Sequence, residues 1–147
     1  MIHKLALMTV LALIPIMAAP EESESGRIPM DNKFFSEFYR TPPVLRDGLL
    51  ENMLNSIVLG RGLIKSIDKT QRFKKKYRIV LVDLDAERMN VRIVYYIYID
   101  SKNSISMLKE NENLEFSGQL VAYTPANTKR DYYILDILFE GGAILVQ

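Results

Sequence analysis

Two spacings of apolar residues divide the chain. Between Phe34 and Ile57 they recur at helical intervals, and from Val58 to the end they alternate with polar residues as strands do. Asp31 and Asn32 are candidate N-caps for a short helix that puts Phe34, Phe35 and Phe38 on one side. Thr41, Pro42 and Pro43 end that helix and start another, whose stripe is Leu45, Leu49, Leu50, Met53, Leu54 and Ile57. Gly48 weakens it by about 1 kcal/mol relative to Ala. Both stripes read as faces laid over a core, not as a cofactor or membrane surface.

The period-2 region predicts five strands. Val58 to Ile67 is the first, with Gly60 and Gly62 allowing the coiling or bulge that a small barrel needs. Lys69 to Lys76 is a polar loop, Tyr77 to Asp83 the second strand, Asp83 to Asn90 a turn, and Val91 to Ile99 the third strand. Ser101 to Leu108 reads as one short helix or turn. Leu114 to Tyr123 turns Leu114, Phe116, Gly118, Leu120 and Ala122 inward, and Tyr132 to Phe139 is the fifth strand. Gly141 and Gly142 break the pattern, and Ala143 to Val146 can pair at an edge.

Three strands, a short helical crossover and two more strands resemble the order of the OB-fold, a five-stranded Greek-key barrel. ENENLEFSGQLVAYT is similar to the fourth strand of such domains and GRGLIKSI to their coiled first strand, so the resemblance covers residues 58–147. It is nearest to small exported bacterial OB-fold proteins. The expected fold is therefore mostly β, an OB-fold-like barrel over 58–147 with helical segments over 33–57.

The front of the chain supports the exported setting. His3 and Lys4 precede an apolar run from Leu5 to Met17, closed by Ala18 and Ala19, the layout of a secretory signal cut after Ala18. The run is shorter than the roughly 20 apolar residues of a spanning helix. Pro20 to Asn32 is polar and reads as a flexible tether. Export would place the mature chain in the periplasm or outside the cell.

Composition narrows the chemistry. The 147 residues include no Cys, and the one His, His3, falls in the expected signal, so the mature chain would lack thiolate and imidazole chemistry. Removing the signal takes Lys4 and no acid, leaving 18 basic against 18 acidic residues. That neutrality gives no global support to phosphate-backbone binding. Asp83, Asp85 and Glu87 do not complete a calcium loop, because Arg88 stands where Gly is needed and Val94 where the bidentate Glu is needed. They read as turn acids in water, and Asp136 and Glu140 as solvated strand residues. Gly60-Arg61-Gly62 opens no phosphate loop, since Lys65 replaces the third glycine. No cofactor, metal or catalytic constellation is expected.

The candidate chemistry is electrostatic. Arg72, Lys74, Lys75 and Lys76 lie in the loop after the first strand, and Lys129 and Arg130 in the loop before the fifth, the two loops with which OB domains contact ligands. Arg92, Tyr96 and Tyr98 point outward on the third strand between them. This surface would contact an envelope protein or another anionic ligand. The alternative is single-stranded nucleic acid, stacked on the tyrosines and held through phosphates.

Overall fold

A computed structural model describes residues 26–139 and 144–146. The expected signal, residues 20–25 of the expected tether, Glu140, Gly141 and Gly142 lie outside the described residues. The chain is mostly β. In order the elements are β1 (Arg27–Pro29), α1 (Asn32–Arg40), α2 (Pro43–Glu51), β2 (Ile57–Lys69), β3 (Tyr77–Val82), α3 (Leu84–Arg88), β4 (Arg92–Ile99), α4 (Lys102–Ser106), β5 (Asn113–Pro125), β6 (Tyr132–Leu138) and β7 (Ile144–Val146). A single turn of 3₁₀ helix, Arg72–Lys74, interrupts the β2–β3 connection. Among the described residues no helix is long and apolar enough to cross a membrane.

The strands run in the order β1-β2-β3-β4-β6-β5-β7, and a further pairing of β2 with β5 closes β2, β3, β4, β6 and β5 into a hydrogen-bonded ring. All contacts in the ring are antiparallel except β4–β6, which is parallel from Arg92↔Tyr132 to Tyr98↔Leu138. Closure depends on β2 serving two neighbours: Ile57 to Leu63 pair with β5, and Leu63 to Lys69 pair with β3. Two glycines make that switch possible. A Cβ on Gly62 would stand 2.3 Å from the Val82 carbonyl oxygen, and one on Gly60 would stand 2.6 Å from the Phe116 ring. The expected bulge is present, but its register shift falls between Ile64 and Ser66, beyond the glycines.

Inside the ring Val58, Ile64, Ile79, Leu81, Ile93, Tyr95, Ile97, Leu114, Leu120, Tyr133, Leu135 and Ile137 are buried. α1 and α2 cover the end marked by α3 and the β5–β6 connection, adding Phe35, Phe38 and Leu50, with Phe38 edge-on to Tyr133 at 5.4 Å. Arg46 holds this cover in place. Its buried guanidinium donates to four backbone carbonyls: Nε to Phe38 and Thr41, a terminal nitrogen to Tyr39 at 2.8 Å, and the other to Arg130 at 3.0 Å. Three of these carbonyls sit at the end of α1, where the helix leaves acceptors unpaired, and the fourth belongs to the β5–β6 loop.

Three local readings are corrected. The second helix ends at Glu51, so the expected stripe does not run on to Ile57, which opens β2, and Leu45 is 59% exposed rather than laid on the core. Within the expected tether, Arg27–Pro29 pairs in parallel with Ile57 to Leu59, and Pro29 is tolerated because β1 lies on an edge where a missing N–H breaks no ladder. The DLDAE turn is α3, and its first two acids are not solvated. Asp83 caps the helix, Oδ1 accepting the Asp85 and Ala86 N–H groups at 3.0 Å while Oδ2 accepts the Tyr95 hydroxyl at 2.7 Å. Asp85 meets Arg61 Nε at 2.6 Å and Arg88 at 3.4 Å. Fixed donors replace water for both carboxylates.

Arg46→Lys keeps the charge but cannot reproduce the planar fork, so chemical denaturation should show a loss of about 2–4 kcal/mol. An unchanged midpoint would mean the fork is dispensable. Burial pushes the Asp83 carboxyl from the ordinary 3.8 to about 6, against the opposing pull of the Tyr95 hydroxyl and the α3 amides. Between those values the folded chain holds a proton that the unfolded chain has lost, so this group's contribution to stability falls as pH rises and is constant above them. Asp83→Asn should therefore gain on the native protein by up to about 3 kcal/mol between about pH 4 and pH 7. A pH-independent stability difference between the two proteins would refute this.

Candidate functional site on the outer face of β3, β4 and β6

The alternation of β4 turns Arg92, Val94, Tyr96 and Tyr98 away from the ring interior. Register sets Arg78 of β3 beside Tyr98, Val80 beside Tyr96, Asp136 of β6 on the far side of Tyr96, and Tyr132 beside Arg92. One diagonal pair and one direct pair then meet. The Arg78 guanidinium lies 4.6 Å from the centroid of the Tyr96 ring, and Arg92 lies 4.9 Å from that of Tyr132. Arg78 also bridges to Asp68 at 3.2 Å, which fixes it from the β2 side.

The β2–β3 loop folds back onto this face. Phe73 and Lys74 both take left-handed backbone, at φ 55° and 59°, which turns the chain over the end of β4. Phe73 meets Tyr98 edge-on at 5.0 Å, and Arg72 reaches Asp136 Oδ2 at 3.1 Å. The Tyr98 hydroxyl donates to the other Asp136 oxygen at 3.2 Å. Tyr98 is thus outward-facing yet 0% exposed, and Asp136, expected in water, is 2% exposed. Burial raises the Asp136 carboxyl, while Arg72 and the Tyr98 hydroxyl pull it down. Of the loop lysines, Lys75 bridges to Asp100 at 3.5 Å, and Lys74 and Lys76 are exposed.

The second basic loop lies at the other end of β4, where the Arg92 N–H donates to the Asp131 carbonyl at 2.7 Å. Arg92 and Tyr98 are six residues apart, so the two loops stand about 20 Å from each other along the strand. Lys129 is exposed. Arg130 is half-buried and committed to Asp47 at 3.2 Å, and the same carboxylate oxygen accepts the Tyr133 hydroxyl. The loops therefore stand at opposite ends of β4, with different roles for their members: Lys74, Lys76 and Lys129, like Arg92 of β4, present charge to solvent, whereas Arg72, Lys75 and Arg130 are tied into the fold.

Arg78, not among the expected site residues, is a strand residue whose place over Tyr96 follows from register. Phe73, Tyr132 and Asp136 also belong to the face; the period-2 pattern of the fifth strand carried a signal for the last two, and none existed for Phe73. Chemically, the face offers guanidinium donors backed by aromatic rings, an arrangement suited to holding carboxylate or phosphate oxygens. Among the described residues no group of three His, Cys, Asp or Glu side chains could hold a metal ion. The chain matches no protein-family model and no curated protein.

Proposed function

We propose that this chain is a non-enzymatic binding module of a bacterial envelope compartment, its strand ring an OB-type barrel, taking an acidic segment of a partner protein on the outer face of β3, β4 and β6. One observation carries the reading: the tyrosines of this face are covered by arginines. Arg78 lies over Tyr96, Arg92 over Tyr132, and Arg72 with Phe73 over Tyr98. Rings covered in this way offer no open platform for stacked bases, and while Arg72 and Arg78 already hold Asp136 and Asp68, Arg92 presents its guanidinium at the surface for a carboxylate. The ring order β2-β3-β4-β6-β5, with its one parallel contact, supports the OB-type reading. Export rests on the apolar run at the front of the chain, and a balanced charge suits a local contact better than a phosphate backbone.

The test is fluorescence anisotropy with a labelled oligoglutamate peptide and a labelled oligothymidylate, at low and at high salt. The peptide should bind, and the triple variant Lys74→Gln, Lys76→Gln, Arg92→Gln should bind it about tenfold more weakly, since exposed charges each contribute modestly. Binding of the oligonucleotide in preference to the peptide would replace this reading with the nucleic-acid one. Binding of neither would remove the face from consideration.

A further inference from the structure

We propose that the outer side of β2 and β5 carries a separate binding site, a cleft for a small amphipathic molecule with one carboxylate head and an unbranched apolar body. The cleft arises from a gap in the ladder. On one edge of β2, β1 pairs only as far as Leu59 and β3 begins only at Leu63, so among the described residues no strand covers Gly60 to Gly62 there. Beside that gap is a cavity of about 590 Å³, within the size range of small-molecule sites.

The floor of this cleft comes from outward side chains in register, Leu59 beside Ser117 and Arg61 beside Glu115. Its wall is β1 and the start of α1, with Pro29 adding apolar surface and Arg27 exposed beside it. Asp31, the nearest acid on the wall, is occupied as the α1 cap, where it accepts the Phe34 N–H at 3.0 Å. A second cavity of about 250 Å³ continues the cleft past Arg61 towards α3, between Leu84, Arg88 and Asn113.

Arg61 stands where the two cavities meet. Its Nε is held by Asp85 at 2.6 Å, an acid itself fixed on α3, yet 59% of the Arg61 side chain is exposed. Asp85 therefore orients the guanidinium without covering it, and the exposed part of Arg61 lines both cavities, with Glu115 beside it as the one acid they share. A carboxylate meeting this guanidinium would gain charge-assisted bonds from a group whose position is already set, while the apolar body lies over Leu59 and Pro29. None of these residues belongs to the β3–β4–β6 face, so the two sites are independent.

Isothermal titration calorimetry of the full chain with decanoate and with decanol tests the assignment. Decanoate should bind saturably at one site and decanol at least about tenfold more weakly. Arg61→Gln should remove most of that preference, and Arg92→Gln should leave decanoate binding unchanged. Should Arg61→Gln fail to fold, Arg27→Gln, at an exposed edge position, should still weaken decanoate several-fold while sparing decanol. Absence of saturable decanoate binding to the native protein, equal affinity for the two compounds, or binding unaffected by either cleft variant would overturn the proposal. Loss on Arg92→Gln alone would move the ligand to the other face.

Discussion

The close approach of β2 to β3 at Gly62 is the constraint on which the rest of the structure depends. A strand of 13 residues can pair with β5 through its first half and β3 through its second only if its backbone turns a corner, and the corner leaves no room for a Cβ beside the Val82 carbonyl. Closure of the ring follows from that corner. So do the two outward surfaces: β3, β4 and β6 face away on one side, and the switch in pairing leaves Gly60 to Gly62 uncovered on another. The uncovered stretch and the glycine corner are consequences of one geometric requirement.

Charge is distributed by the same economy. Arg46, Asp83, Asp85 and Asp136 are almost fully buried, and each is met by groups that replace its water: carbonyls for Arg46, amides and a hydroxyl for Asp83, guanidinium groups for Asp85, Arg72 and a hydroxyl for Asp136. In a chain without cysteine these contacts do the cross-linking that packing alone leaves undone. They join α1 and α2 to the β5–β6 loop, α3 to β2 and β4, and the β2–β3 loop to β6. Basic residues that look alike in the sequence thereby divide into structural and presented groups. Arg72 and Arg130 hold loops, whereas Lys74, Lys76 and Lys129 remain available at the surface.

Much of the strand layout was legible because burial on one face of a pleated strand imposes a period of two, which Leu114 to Leu120 follows until a register shift sets Ala122, expected inward, beside outward-facing Asp136 and Tyr123 beside buried Leu135. The outward side of β4 was legible for the same reason, so Arg92, Tyr96 and Tyr98 lie on the expected face. The condition of Tyr98 was not. Its burial depends on Phe73, 25 residues earlier in the chain and in left-handed backbone that no local pattern marks in a non-glycine residue. The buried acids were illegible in a similar way, because a carboxylate reads as solvated until a donor from elsewhere in the fold is set beside it.

The sequence by itself determined the periods, the stop and fresh start at Thr41 to Pro43, a cap at Asp31 or Asn32 and the absence of thiol chemistry. These are properties of neighbouring residues, where backbone stereochemistry and side-chain type act within a few positions. Only the tertiary structure decided that β4 and β6 run parallel and side by side, that Arg46 binds four carbonyls, that Asp136 is covered and that a cleft opens beside Arg61. Each of these joins residues far apart in the chain, and the energy of such contacts depends on distances and desolvation that exist only once the ring has closed.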